Sequence, residues 1–293
     1  MGNDLISRRE ILKIAAVAPL VGTVNSGMEA RGQPKTRVVL IRDNDVLDSE
    51  GNHRPEIIEK MLDEAITTLF AAKDAHSAWT KIIKASDTVG IKSNSWYFLP
   101  TGKVVEQAIR KMVLGAGVAA TRVGIDDQGV LKNPIFQKAT ILINARPART
   151  HHWAGMGGCI KNVIVFAPKP EAYHRDSCAD LAALWDLPII KNKVKLNILL
   201  VLTPLFHGIG PHHFSRQYIW PYKGIIVSQD PVAADSTAVR ILQAKRLQHF
   251  GEERPLQPPA HHITYAESRH QLGVANPDKI ELIKLGWQED ILI

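Results

Sequence analysis

The sequence predicts an α/β fold in which a mostly parallel β-sheet carries helices on both faces. Short apolar, β-branched runs alternate along the chain with longer segments that repeat apolar residues at helical spacing. Such alternation is typical of parallel sheets, because each parallel connection has to cross back over the sheet. The runs are continuously apolar, which favours strands buried on both faces. The composition agrees, since 45% hydrophobic and 22% charged residues exclude a disordered chain.

The first 33 residues are predicted to be a twin-arginine signal peptide rather than part of the fold. Arg8 and Arg9 precede an apolar stretch of 11 residues, 14–24, which is short of the ~20 residues that a membrane span requires. The sequence therefore predicts a soluble periplasmic or extracytoplasmic protein that meets the twin-arginine translocase, with no transmembrane span in the mature chain. An ordinary amphipathic N-terminal helix is the alternative.

Residues 34–293 are predicted to form a single α/β domain whose strands and helices follow in a regular order. The predicted strands cover residues 37–41, 88–91, 123–125, 140–143, 197–202, 224–227 and 280–285. The predicted helices cover residues 55–70, 75–84, 104–113 and 231–247. Asp230 is the expected N-cap of the last helix, with Pro231 in its first position. The segment 146–196 is predicted to be an irregular insertion, and 250–262 a loop rich in proline and histidine.

Polar side chains follow nearly every predicted strand. In open α/β sheets, ligands bind beyond the carboxyl ends of the strands. Because parallel strands point the same way, we expect the loops after residues 91, 125, 143, 202 and 227 to converge on one pocket. The candidates from this rule include Lys92, Asn94, Asp126, Asn144 and Arg149. Polar loops are common in any protein, so ordinary solvated loops are the alternative.

The densest group of polar residues lies between residues 149 and 162, where two imidazoles, a glycine-rich turn and a Lys-Asn pair occur together. Gly157 and Gly158 allow backbone N–H groups to point at one anion, and Lys161 adds a positive charge beside Asn162. We therefore expect this segment to bind an anion or a carboxylate. A tight turn with a solvated lysine is the alternative. The segment is not a P-loop, because no GxxxxGK[ST] motif occurs.

The sequence contains histidine and carboxylate residues that are candidate metal ligands. His151, His174 and Asp126 are the candidate ligands of a divalent transition metal, because imidazole and carboxylate suit such ions. The sequence has no HExxH motif, and each histidine is equally explained as a hydrogen-bonded surface or core residue. The two cysteines, Cys159 and Cys178, cannot hold an iron–sulfur cluster alone, since such a cluster takes about four ligands. We expect two separate thiols, and a single disulfide between them in an oxidising compartment is the alternative.

The charge distribution bears on the partners of the protein. The net charge is +7, from 36 Lys and Arg against 29 Asp and Glu. The basic residues do not form a long run, so we expect no nucleic acid as partner. Scattered positive charge is typical of a surface that attracts small anions, and a small anionic ligand is the expected partner.

An ordered set of short motifs runs through the chain: Gly90-Ile-Lys-Ser-Asn94, Ile141-Leu-Ile-Asn144, Thr150-His151, Gly158-x-x-Lys161-Asn162, Tyr173-His174, Gly208-x-Gly-Pro211 and Ser228-x-Asp-Pro-Val-Ala-x-Asp235. With these motifs the chain resembles the exported, twin-arginine form of the domain of unknown function 362 family, over about residues 36–247. The resemblance implies a shared polar site, and the matching residues are Lys92, Asn94, Asn144, His151, Lys161, Asn162, Asp230 and Asp235. Arg149 stands where the family usually has a lysine, which keeps the charge but not the point-charge chemistry. The family defines no reaction.

These observations predict a periplasmic enzyme or redox-accessory protein with a metal or an anionic cofactor at the strand carboxyl ends. The candidate catalytic residues are His151, Lys161 and Lys92, with His151 or His174 as ligand or proton carrier. The candidate cofactor-binding residues are Asn94, Asn144, Arg149, Gly157, Gly158 and Asn162. The alternative is a non-catalytic binding protein for an anionic solute or for a partner's cofactor, and turnover distinguishes the two.

Overall fold

In the computed structural model, which describes residues 35–208 and 214–293, eight strands form one sheet. The strands are β1 (Thr36–Arg42), β2 (Val89–Lys92), β3 (Val123–Asp126), β4 (Ile141–His151), β5 (Gly155–Gly157), β6 (Val194–Leu205), β7 (Gly224–Ser228) and β8 (Ile280–Gly286). Their order is β3-β2-β4-β6-β7-β1-β8, with β5 paired to β4. Only β7 and β5 run antiparallel to their neighbours among these strands. The predicted α/β fold with a mostly parallel sheet is confirmed.

The helices of the described residues lie on both faces of this sheet. They are α1 (Pro55–Leu69), α2 (Ala75–Trp79), α3 (Lys103–Gly115), α4 (Pro134–Lys138), α5 (Cys159–Asn162), α6 (Pro231–Phe250) and α7 (His261–Ser268). Successive side chains of a strand point to opposite faces. In β1, Val39 and Ile41 pack with α1, α2 and α3, whereas Val38 and Leu40 pack with α4 to α7. Each face of the sheet is therefore covered by its own apolar core.

The direction of β7 differs from the expectation. Asn197 of β6 pairs with Ser228, and Val201 pairs with Gly224, so β7 runs against β6. The loop that follows Ser228 therefore lies near the start of β6, at the amino edge of the sheet. The expectation that residues after 227 join the other strand-end loops is wrong. Asp230 nevertheless caps α6 as predicted, accepting the N–H groups of Val232 and Ala233.

Several boundaries also differ from those predicted: α2 ends at Trp79 instead of residue 84, and β6 extends beyond the predicted 197–202 at both ends. The first residues of the expected insertion, 146–151, continue β4, and short 3₁₀ helices begin only at Val163. The polar residues of this stretch conceal the strand, although all of β4 is buried. The proline- and histidine-rich loop ends at α7, whose second residue, His262, is fully buried.

The predicted twin-arginine segment, 1–33, lies outside the described residues. Within residues 35–208 and 214–293, no helix is both long enough and apolar enough to cross a membrane.

The fold places β2, β3, β4 and β6 side by side, with their carboxyl ends toward one edge.

Candidate functional site

A difference in strand length creates a cavity at the carboxyl edge of the sheet. Lys92, the last residue of β2, lies beside Asp126 of β3 and Asn144 of β4. β2 and β3 end there, whereas β4 continues to His151 and pairs with β5 over its last three residues. The resulting cavity has a volume of about 200 Å³. Its lining includes Asn94, Trp96, Asp127, Arg146, Arg149, His151, Lys161, Asn162 and His174.

Most of the predicted site residues meet at this cavity. Six of them line it: Asn94, Arg149, His151, Lys161, Asn162 and His174. Lys92 and Asn144 lie beneath the lining and contact it through Asn162. Gly157 and Gly158 lie behind the lining and support Arg146 and α5 rather than a ligand. Convergence was expected from the rule on strand ends, and the geometry agrees for the loops after β2, β3 and β4.

Lys92 is paired with Asp127, a carboxylate that is not among the predicted site residues. Its ammonium group contacts Asp127, whose second oxygen accepts the N–H and the hydroxyl of Ser95, both at 2.8 Å. Burial lowers the pKa of Lys92 to about 8, and the charge of Asp127 opposes that shift. Burial raises the pKa of Asp127, but Lys92 and Ser95 outweigh burial and leave that pKa below its ordinary value. Lys92 therefore stabilises the base of the cavity through these contacts and does not face a ligand.

A row of amides leads from the cavity into the sheet. The Asn162 amide donates to Asn144 at 2.7 Å, and the Asn144 amide donates to Asn197 at 2.9 Å. Asn197 in turn donates to the Gln229 carbonyl at 3.1 Å. Since each donor has a partner, the orientation of the Asn162 amide is determined, and its oxygen lies 3.3 Å from Nζ of Lys92. Asn144, predicted to bind a cofactor, positions Asn162 from below.

Three buried cations give the cavity its charge. Arg146, Arg149 and Lys161 are each at most 5% exposed. Arg146 donates to the Gly158 carbonyl at 3.2 Å, and Arg149 donates to the Asn94 side chain at 2.9 Å. No carboxylate of the described residues forms a hydrogen bond with any of the three cations. Burying a charge is costly unless it is paired, so the cavity has an unbalanced positive charge.

The two arginines face the same cavity because β4 is irregular. In a regular strand, side chains separated by three positions point to opposite faces. The pairing of β4 with β6 shifts register between Pro147 and Arg149, and such irregularities re-aim the following side chains. Arg149 also lies over the face of Trp96, with 4.3 Å from the guanidinium carbon to the ring centroid. Burial lowers the pKa of both Arg146 and Arg149.

The titratable groups of the cavity have strongly altered acidities. Burial, together with the charges of Lys161 and Arg146, holds the pKa of His151 far below its usual range. Nδ1 of His151 accepts the N–H of Trp153 at 3.2 Å, which leaves the ring proton on Nε2. Burial lowers the pKa of His174 to about 4, and that of Lys161 to about 8. At neutral pH both imidazoles are neutral, while Lys161 is near its titration point.

The short helix α5 is held by a carboxylate from the distant helix α6. Asp235 is fully buried and accepts the N–H groups of Cys159 at 2.6 Å and Ile160 at 2.9 Å. Burial raises the pKa of Asp235 to about 7, although these hydrogen bonds favour the charged form. A Cβ on Gly158 would lie 2.2 Å from this carboxylate, so only glycine permits the approach. Asp235 thereby positions Lys161.

Of the three predicted metal ligands, Asp126 does not line the cavity that His151 and His174 share. Asp126 accepts the Gly129 N–H and the Asn133 amide, both at 2.9 Å, and closes the loop after β3. Within the part of the chain that the structure describes, no group of three or more His, Cys, Asp or Glu side chains could hold a metal ion. His151 and His174 share the cavity without a carboxylate ligand between them. A metal site formed by His151, His174 and Asp126 therefore stays a prediction, and these contacts do not support it.

Four residues of the site escaped the sequence analysis in their actual roles: Trp96, Arg146, Asp127 and Cys178. The alternation of side chains along β4 could have indicated Arg146, because it lies two positions after Asn144 and so shares its face of the strand. Cys178 lies with its Sγ 3.8 Å from Nζ of Lys161, and nothing in the local sequence indicates that contact. The two cysteines are separate buried thiols, as expected.

The fold and the cavity together define an α/β protein with a cationic cavity at the carboxyl edge of its parallel strands. A family model described as "Domain of unknown function (DUF362)" matches residues 125–240, which supports membership of that family. The match runs from the end of β3 into α6 and includes Arg146, Arg149 and Lys161. No curated protein and no solved structure matches the chain.

Proposed function

We propose that the protein is an exported enzyme that binds a small organic anion in the cavity formed by Arg146, Arg149 and Lys161. One observation carries this proposal: three buried cations line one cavity, and Asp127, the carboxylate of its described lining, is already paired with Lys92. Buried charges are retained when they are paired or hold a ligand. An anionic ligand supplies the missing negative charge, and guanidinium groups suit carboxylates and phosphates because they donate in parallel pairs.

The same cavity contains groups suited to proton transfer. Lys161, with a pKa of about 8, and the neutral His151 differ in protonation state at neutral pH. Groups with such altered acidity in a cleft are typical of acid–base catalysis. Arg146 and Arg149 orient the anion, Lys161 exchanges a proton with it, and neutral His151 offers a hydrogen bond from Nε2. Lys92, predicted to be catalytic, is a positioning residue in this scheme because Asp127 engages its ammonium group.

Titration of inorganic phosphate or oxalate into the purified mature protein tests the binding step. We expect an affinity that is constant at low pH and falls as the pH rises through about 8, because the anion stabilises the protonated form of Lys161. Calorimetry over this range measures the effect. Lack of binding of both anions would contradict the proposal, as would an affinity that declines only near the ordinary lysine pKa of 10.5.

Turnover separates the enzyme from a binding protein. Incubating the protein with a panel of carboxylates and phosphate esters, followed by mass spectrometry of the small molecules, reveals any product. Tight binding of an anion without conversion of any member of the panel would favour the non-catalytic alternative. Metal analysis of the same preparation tests the metal dependence that the sequence predicts.

Export is tested separately, through the segment outside the described residues. Replacing Arg8 and Arg9 together with lysine is expected to hold the precursor in the cytoplasm, because the translocase recognises the arginine pair. Immunoblotting of the periplasmic fraction provides the measurement. An unchanged periplasmic yield would show that the N-terminus is not a twin-arginine signal.

A further inference from the structure

We propose that Lys161 is a nucleophile that forms an imine with a 2-oxo carboxylate, so that the anion of the cavity is a small keto acid. The inference rests on the proposed function, because Arg146 and Arg149 have to hold the carboxylate while the amine attacks. It adds the chemical class of the ligand and a covalent role for one residue. The alternative is that Lys161 serves only as a counter-charge.

The surroundings of Lys161 leave its amine available. Its side chain is 4% exposed and lines the cavity, and its Nζ contacts Sγ of Cys178 at 3.8 Å. Among the described residues, no carboxylate forms a salt bridge with Lys161. An ion pair would keep the proton on the amine, and a protonated amine has no lone pair with which to attack. Lys161 is free of that restraint.

Lys92 provides a comparison inside the same site. Its ammonium group is held by Asp127, by the Ser93 carbonyl and by Asn162, and it is absent from the cavity lining. All three partners accept hydrogen bonds and therefore favour the charged form. The pKa of both buried lysines is lowered to about 8, so the difference lies in their contacts: three acceptors engage the Lys92 ammonium group, whereas Lys161 lines the cavity and has no carboxylate partner among the described residues. A nucleophilic role suits Lys161 alone of the two.

Burial lowers the pKa of Lys161 to about 8. The contact with Cys178 opposes this shift, and repulsion from Arg146 and Arg149 adds to it. Lysines that act as nucleophiles are activated in this manner, by desolvation or by a neighbouring cation. The neutral amine, which carries the lone pair that the reaction needs, is a minor form of Lys161 at pH 7 and becomes abundant near pH 8.

The ligand class follows from combining the amine with the arginines. A phosphate ester or a simple carboxylate has no carbon that an amine attacks readily under mild conditions, whereas a ketone has one. The cavity of about 200 Å³ suits a small molecule, and its guanidinium groups suit a carboxylate. A carbonyl next to a carboxylate presents both features in a small molecule. The chemistry therefore points to a 2-oxo acid such as pyruvate.

The reaction balances without any oxidant or reductant. The Nζ lone pair forms a bond to the carbonyl carbon while the carbon–oxygen π pair moves to oxygen. Oxygen gains one proton and nitrogen loses one, which gives a carbinolamine. The hydroxyl group then takes up a proton and leaves as water while the nitrogen lone pair forms the carbon–nitrogen double bond, and the resulting iminium loses the second nitrogen proton to give the imine. Both protons of the released water thus come from the nitrogen, and neutral His151, with its proton on Nε2, provides a hydrogen-bond donor in the same cavity.

Reductive trapping of the mature protein with pyruvate and sodium cyanoborohydride tests the inference. The hydride reduces an imine to a stable secondary amine, and peptide mass mapping finds the modified lysine. We expect an adduct on Lys161 with the added mass of pyruvic acid less one oxygen atom, and none on Lys92. The yield should increase as the pH approaches about 8, since the neutral amine becomes more abundant.

Two controls accompany the trapping. Acetone has the carbonyl group but no carboxylate, and it should modify Lys161 far less than pyruvate does. Lys161→Arg keeps the positive charge but cannot form the imine, so it should lose the adduct. Mapping of the wild-type protein identifies the modified residue even if this variant does not fold.

The outcomes distinguish the inference from the proposed function. If pyruvate binds in calorimetry but Lys161 remains unmodified, or if exposed lysines react equally well, the imine is wrong and anion binding stands. Equal labelling by acetone would show that the arginines do not select a carboxylate. If neither pyruvate nor phosphate binds, the anion site itself is wrong and the imine fails with it.

Discussion

Replacing Gly158 with alanine is expected to lower the free energy of unfolding by about 3 kcal/mol, at the upper end of typical overpacking costs. The new Cβ would lie 2.2 Å from Oδ1 of Asp235, a fully buried carboxylate. Moving that carboxylate away would leave the N–H groups of Cys159 and Ile160 without an acceptor. Urea denaturation measures the change, and the loss of anion binding should accompany it because α5 carries Lys161.

Gly115→Ala is the matched control for that substitution. Gly115 ends α3, and an added Cβ there meets nothing within 4 Å. Its replacement should be neutral or stabilise the protein by about 0.5 kcal/mol, because alanine restricts the unfolded chain. In an Asp235→Ala background the clash disappears, so Gly158→Ala should then cost much less. Similar stabilities for wild type and Gly158→Ala would show that Asp235 does not pack against α5 in this way.

Replacing Arg149 with methionine is expected to weaken the binding of oxalate or phosphate by about 10- to 100-fold, the loss of one or two hydrogen bonds to a charged group. The same change should leave the melting temperature of the ligand-free protein unchanged or raise it. Arg149 is 5% exposed, has no carboxylate partner within the described chain, and its Nε has no hydrogen-bond partner there. Replacing such a buried charge with an apolar side chain of similar length removes a desolvation cost. Calorimetry and thermal unfolding of one preparation measure both effects.

Arg54→Met controls for the loss of one positive charge. Arg54 is exposed, precedes α1, and makes no side-chain capping bond to that helix. Its replacement should change neither oxalate affinity nor melting temperature by more than a small amount. If Arg149→Met bound oxalate normally, the arginine would not be part of an anion site. If it lost binding and stability together, Arg149 would be a structural residue.

The opposite effects of these two substitutions reflect different roles in one site. Gly158 and Asp235 hold α5 in place, so disturbing them costs stability first and binding second. Arg149 keeps a charge that the ligand-free protein does not need, and sites of this kind are destabilising until their ligand arrives. Measuring both quantities on both variants therefore separates the framework of the cavity from the groups that face the ligand.

Much of the fold could be predicted from local patterns in the chain. Apolar runs mark β1, β2 and β3 to within one residue at each end, and apolar spacing marks α1 and α3. The start of α6 follows from Asp230 and Pro231, since the cap and the first turn are formed by neighbours in sequence. These features depend on residues within one helical turn or along one strand, which the sequence displays directly.

The direction of β7 and the length of β4 could not be predicted in this way. An apolar run has the same period in a parallel and an antiparallel strand, so the pattern of residues 224–228 does not encode the pairing with β6. The second half of β4 is rich in arginine, threonine and histidine, residues that elsewhere indicate loops. They are buried there because helices and loops from other parts of the chain cover them.

The residues of the site also divide into those that the sequence predicts and those that only the tertiary structure brings together. The rule on strand ends predicts that Lys92, Arg149 and His151 lie at one edge of the sheet; Arg149 and His151 line the cavity there, and Lys92 lies beneath its lining. The choice of Asp127 over Asp126 depends on how the loop after β3 turns, and the shared orientation of the arginines depends on a register shift of β4 against β6. The contact of Asp235 with Cys159 joins residues 76 positions apart. Only a completed sheet, with α5 and α6 packed on it, brings those residues together, because no local interaction specifies so distant a pairing.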